Sequence, residues 1–162
     1  MGYRSDVAGG FSVDAYNYPA TKEEGIAKFK EMIGFIKLSK FYELMMSNEQ
    51  DQKCIGWDCG RFVFHAENWK WYPDYDAVQA WNELWKQMQA VEGISGLFNR
   101  VGEETDDIEE DNFGDDVDFD MFYCRSMLCF EASGLLGKRN TDVEANLTML
   151  EMEYHNKGEA NE

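Results

Sequence analysis

"RFVFHAENWKWYPDYDAVQAWNELW", residues 61–85, is the stretch on which the fold class turns. Its opening is dense in Phe, Val and Trp, which is strand composition, and alternation puts Phe62 and Phe64 on one face, Val63 and His65 on the other. Pro73-Asp74 ends the extended run, and Asp74 or Asp76 is placed to cap a helix by accepting the free N–H groups of its first turn. Val78, Trp81, Trp85 and Met88 then recur at steps of three and four, and Val91 continues the stripe. That spacing predicts an amphipathic helix over about 75–91. A strand followed at once by such a helix calls for a helix-on-sheet architecture.

Working outward, residues 3–18, "YRSDVAGGFSVDAYNY", carry Val7, Phe11, Val13 and Tyr16 around Gly9-Gly10 and predict an N-terminal strand bulged at the glycines. Thr21-Lys22-Glu23-Glu24 matches a capping box, and Ile26, Phe29, Ile33, Ile36, Phe41 and Leu44 extend a first helix over 22–46 with a break near Ser39. Residues 47–60 read as a polar turn region. Residues 96–102 and 121–132 read as strands, with Arg125-Ser126 interrupting the alternation of the second. Residues 141–157 fit either a helix capped at Thr141 or Asp142 or a strand around 147–154. The expectation is one α+β domain spanning residues 1–162, in the order β-α-β-α-β-β plus a C-terminal element of either kind. Four to five mostly antiparallel strands would carry two amphipathic helices on one face, and an acidic insertion at about 103–120 would project between the third and fourth strands.

The chain has 162 residues, enough for one substantial core, with 11 Phe, 8 Tyr and 5 Trp to fill it. Its formal net charge is −17, and residues 103–120 supply eleven of the 32 acids and no base. The remainder, 21 acids against 15 bases, nets only −6, so the charge is local. Such a surface repels nucleic acid and anionic membrane and attracts basic protein. Direct nucleic-acid or membrane binding is therefore not expected. No secretory signal and no apolar run near 20 residues is present, and a cytoplasmic setting with reduced thiols is expected.

The acidic run admits three active roles. An EF-hand started at Asp107 places Glu109 and Asp111 correctly, but Asn112 stands where glycine is needed and Asp118 where the bidentate glutamate belongs. Catalysis by paired carboxylates needs a rigid pair a few ångströms apart, and no pair stands out among so many, with no His close by. The third role is imitation of a polyanion, and the apolar Ile108, Phe113, Val117 and Phe119 inside the run argue for an anchored array. Against all three stands a solvated loop that serves solubility alone.

Other constellations have plainer readings. Cys54/Cys59 and Cys124/Cys129, with His65, invite a structural zinc site, but a separation of five puts Cys124 and Cys129 on opposite faces if that segment is one regular strand, so free thiols are favoured. Trp81 and Trp85 belong in a helix–sheet core, whereas Trp69, Trp71, Tyr72 and Tyr75 cluster at the strand–helix corner as candidate contact residues. Arg4, Arg61, Arg100 and Arg125 flank predicted strands, where any of them either pairs with the acidic run or faces water. No phosphate loop, dinucleotide fingerprint, serine elbow or metalloprotease helix is found. No catalytic residue, metal ligand or cofactor is nominated.

Three stretches, "GYRSDVA" (2–8), "NWKWYPDYDAVQAWNELW" (68–85) and "NRVGEETDDIEED" (99–111), resemble pieces of small uncharacterised acidic proteins encoded by bacteriophages and prophages. They cover about a quarter of the chain. The resemblance implies a setting in a host cell's cytoplasm, where such proteins inhibit host defence or nucleic-acid enzymes, and it transfers no residue roles. The resulting expectation is an inhibitor that occupies the cationic nucleic-acid-binding surface of a basic host protein. Its contacts would be Glu103, Glu104, Asp106, Asp107, Glu109, Glu110, Asp111, Asp115, Asp116, Asp118 and Asp120, flanked by Trp69, Trp71, Tyr72 and Tyr75. The alternatives are a cation-dependent hydrolase using the same carboxylates, and a phage structural or assembly protein whose acidity recognises nothing.

Overall fold

The computed structural model describes residues 2–13, 22–58, 60–104 and 106–114, and the backbone of two short strands at 121–124 and 127–130. The elements in chain order are β1 (Ser5–Val13), α1 (Lys22–Leu38), α2 (Lys40–Met46), α3 (Glu49–Gln52), β2 (Ile55–Asp58), β3 (Arg61–Trp69), α4 (Asp76–Gln89), β4 (Ile94–Gly102) and β5 (Ile108–Phe113). These are followed by β6 (Met121–Cys124) and β7 (Met127–Phe130). The first five strands form one antiparallel sheet in the order β2-β3-β1-β4-β5, and β6 and β7 pair separately.

Because β1 runs antiparallel to both β3 and β4, those two are parallel to each other, and α4 is the crossover that joins them around β1. The same logic makes β2 parallel to β1 with β3 between them. Two interleaved split β-α-β units are the ferredoxin-like arrangement. Here β5 is added beyond β4.

This corrects the expected order. Among the described residues the sheet is built in the order β-α-α-α-β-β-α-β-β, with four helices instead of two. The 22–46 helix divides at Ser39, whose extended backbone and hydroxyl, accepting from the Tyr42 N–H at 3.1 Å, start α2 afresh. The polar region 47–60 holds α3, capped by Asn48, and the strand β2. Neither Asp74 nor Asp76 caps α4; Tyr75 is its N-cap, without a side-chain bond, and Asp76 lies in the first turn. The irregularity in β1 falls between Ser5 and Val7, not at the glycines. Within the acidic run, residues 108–113 are not a projecting loop but the strand β5, paired along β4. Within the predicted strand 121–132, residues 121–124 and 127–130 are two strands, β6 and β7, paired antiparallel with each other. The Thr21 cap and everything after residue 130 lie outside the described residues.

The helix-covered face of the sheet reads as cross-strand rows. Phe62, Phe11, Gly96 and Phe113 form one; Phe64, Gly9, Phe98 and Asp111 the next; Ala66, Val7, Arg100 and Glu109 the third. The core lies here, under Val78, Trp81, Leu84, Trp85 and Met88 of α4 and Phe29, Met32 and Ile36 of α1. Each large side chain so buried contributes roughly 1.5–3 kcal/mol by leaving water. Gly9 is required by close approach, since a Cβ there would meet the Trp81 ring at 2.8 Å. Across the second and third rows the pattern changes from apolar to charged at the β4–β5 edge.

Candidate functional site: the acidic hairpin and the cavity behind it

The β4–β5 hairpin owes its shape to backbone bonds. The Gly102 N–H donates to the Asp107 carbonyl at 2.7 Å, and the Asp107 N–H to the Glu104 carbonyl at 3.1 Å. From there β5 keeps register with β4 from Val101↔Ile108 to Gly96↔Phe113. The turn is tied to the N-terminus as well: the Arg4 N–H donates to Glu103 Oε1 at 2.9 Å, and the Tyr3 hydroxyl donates to Asp107 Oδ2.

Arg100 joins these parts. Its Nη1 and Nη2 grip Asp107 Oδ2 and Oδ1 at 2.9 and 2.6 Å, its Nε reaches Glu109 Oε2 at 3.0 Å, and Nη1 also donates to the Ser5 hydroxyl at 3.1 Å. This fork is the strong, planar form of the Arg–carboxylate bond. The Asp107 bond raises the Arg100 pKa further above its ordinary value, and the Arg100 and Tyr3 bonds hold the Asp107 carboxyl below the usual carboxylate range. Hydrogen bonding to Asp107 pushes the Tyr3 hydroxyl up.

Behind the hairpin, between α4 and the β4–β5 edge, lies a cavity of about 370 Å³. Aromatic rings line its inner side: Trp71, Trp81, Trp85 and Phe98. They are mutually supported, with ring centroids 5.7 Å apart for Trp71–Phe98 and 6.0 Å for Trp81–Trp85. Its polar lining is Tyr3, which precedes β1, Asp107 of the β4–β5 turn, Arg100 of β4, Glu109 and Asp111 of β5, and Asn82 of α4. The sheet rows account for its acidic lining. Phe113 still packs on the core, but Asp111 and Glu109 stand where two more apolar residues would have closed the gap.

The nominated contact residues separate into groups. Glu103, Glu104, Asp106, Glu109, Glu110 and Asp111 are exposed, whereas Asp107 is half-buried and engaged by Arg100 and Tyr3. Glu109 also pairs with Arg100. Glu104, Asp106 and Glu110 carry no ion pair among the described residues, and Asp111 Oδ1 accepts only from the Asn112 N–H. Asp115, Asp116, Asp118 and Asp120 lie outside the described residues. Of the aromatics, Trp69 and Trp71 are half-buried and packed on the core, Tyr72 stacks edge-on with Tyr75 at 5.2 Å, and Tyr75 is 40% exposed.

Tyr3, Asn82 and Phe98 were not singled out by sequence, though reading residues 108–113 with a period of two would have set Glu109 and Asp111 beside Arg100 and Phe98. The three stretches at 2–8, 68–85 and 99–111 meet here, at Tyr3, at Trp71 with α4, and at Arg100. Among the described residues no cluster of His, Cys, Asp and Glu could hold a metal ion. Cys54 is a half-buried free thiol whose pKa burial raises. The side chains of the other three cysteines are outside the description. No helix among the described residues is long and apolar enough to cross a membrane. Comparison with protein-family models, with curated proteins and with solved structures finds no match to this chain.

Proposed function

We propose that this protein acts by binding a basic partner protein through the acidic hairpin, occupying a cationic surface that otherwise holds nucleic-acid phosphates. The observation that carries the reading is the pinning of the hairpin. Its exposed carboxylates sit on a strand in register with the sheet and on a turn tied to Tyr3, Arg4 and Arg100, so little conformational freedom remains to be lost on binding.

Alternation along β5 puts Glu109 and Asp111 on the helix-covered face and Glu110 on the other, so Glu110 joins Glu104 and Asp106 of the turn as the carboxylates outside the cavity. The setting taken from the resemblance, a bacteriophage protein acting on a host nucleic-acid-binding protein, belongs to the same proposal.

A competing reading comes from the sheet itself. β5 is the last strand in its order, and charged side chains on an edge strand discourage edge-to-edge association whether or not anything binds. One experiment divides the two. The immobilised protein is exposed to bacterial lysate, captured proteins are eluted with salt and identified, and duplex DNA is tested as a competitor. On the binding reading, a cationic nucleic-acid-binding protein is captured, DNA displaces it, and the Glu104→Gln, Asp106→Asn, Glu110→Gln triple variant loses it. Capture that survives the triple variant would sink the proposal.

A further inference from the structure

The aromatic cavity is a separate feature from the hairpin's outer face, and its chemistry is selective. Arg100 cannot recruit an anion there, because four hydrogen bonds already commit its guanidinium to Asp107, Glu109 and Ser5. Counting Arg100 against Asp107, Glu109 and Asp111, the polar side carries two net negative charges. Asp111 is exposed and has no cationic partner among the described residues. The aromatic wall beside it is built on the buried rings of Trp81, Trp85 and Phe98, with Trp71 as its half-buried ring, and an aromatic face attracts cations. A volume of about 370 Å³ falls at the small end of ligand-sized sites, roughly 300–1,000 Å³.

From this juxtaposition we infer that the cavity is a receptor for the guanidinium group of an arginine on the partner protein. Guanidinium suits it better than ammonium. It is flat and weakly hydrated, stacks on aromatic rings, and can still donate in its plane to a carboxylate such as Asp111. The inference deepens the proposed function and rests on it for the identity of the donor. The cavity's preference for a flat organic cation is independent of that reading. An arginine inserted beside the acidic hairpin would act as the anchor of the interface, with the surface carboxylates steering its approach.

The test needs no partner. The full-length protein is titrated with n-butylguanidinium and, separately, with n-butylurea, a neutral analogue of similar shape, while tryptophan fluorescence and indole N–H resonances report on the cavity. N-acetylarginine amide provides the side chain in its peptide context. The expected result is saturable binding of both guanidinium compounds, at least about tenfold tighter than the urea. Asp111→Asn should weaken the guanidinium compounds about tenfold and leave the urea unchanged. Asn82→Trp, at an exposed α4 position on the rim, should block all three probes without changing the charge.

Equal affinity for urea and guanidinium, or undiminished binding to the Asn82→Trp protein, overturns the inference. So does absence of saturable binding. The Glu104→Gln, Asp106→Asn, Glu110→Gln protein, altered only outside the cavity, should retain full guanidinium binding. Loss of probe binding there would mean that diffuse surface charge, not the cavity, holds the cation. A failure of the cavity inference thus shows in the small-molecule titration, and a failure of the hairpin reading in the capture experiment.

Discussion

Arg100 leaves β4 on the helix side of the sheet, two residues from Phe98, where a charge would ordinarily have to be desolvated against aromatic rings. Asp107 and Glu109 make the position tolerable by surrounding it with carboxylate oxygens, and Tyr3 fixes Asp107 from the other side. Gly102 makes room, because a Cβ at that position would collide with both the Asp107 carboxylate and the Tyr3 hydroxyl. Gly102→Ala should therefore push these two side-chain ends aside and weaken their bonds to each other and to Arg100, at a cost of about 1 kcal/mol in urea unfolding. The Asp107 contribution has a definite pH dependence. Its folded pKa is lowered, so its stabilisation is complete above the unfolded carboxylate value of about 3.9 and is lost as the pH falls through the folded value. The stability gap between the native protein and Asp107→Asn, measured by urea titration, should be open at neutral pH and close progressively in acid. A gap that stayed constant down to pH 3 would mean that Asp107 does not act through its charge.

Helix α4 is legible in sequence because six buried side chains repeat on one face over fourteen residues, which fixes period and direction together. Sequence also points to the break at Ser39. There the structure adds the mechanism, a hydroxyl that accepts from the Tyr42 N–H and donates to the Ile36 carbonyl at 2.6 Å, ending one helix and starting another. Ser39→Ala should remove the cap and cost about 1 kcal/mol, read as a lower urea midpoint at unchanged slope. The elements α3 and β2, four residues each, are too short to show a period. Strand β5 fails for a different reason: its alternation is written in Glu109, Asp111 and Phe113, so only its last member looks core-facing. What makes it a strand is pairing with β4, a tertiary influence that local propensity does not contain. The cavity was illegible for the same reason, because Tyr3, Trp71, Asn82, Phe98 and Asp111 come from separate elements that only the topology brings together.

For the whole molecule, a net charge of −17 acts against compactness, since like charges brought together by folding repel. At about 0.01 M salt the screening length is about 30 Å, and at 0.15 M about 8 Å, so moderate salt should raise the melting temperature. The hairpin concentrates this repulsion, with Glu104, Asp106 and Glu110 exposed and lacking ion pairs among the described residues. Converting these three to their amides should therefore stabilise the fold at low salt by about 1 kcal/mol, and most of that gain should vanish at 0.15 M salt. This bears directly on function. A site kept for binding can carry repulsion that a purely structural surface would be expected to relieve, and partner binding should then weaken in the variant whose fold is strengthened. Thermal melts of the amide variant at both salt concentrations, set beside its partner capture, measure the two effects on one protein. If the amides destabilise the fold at low salt, the carboxylates are satisfied within the molecule, and the case for their facing a cationic partner fails.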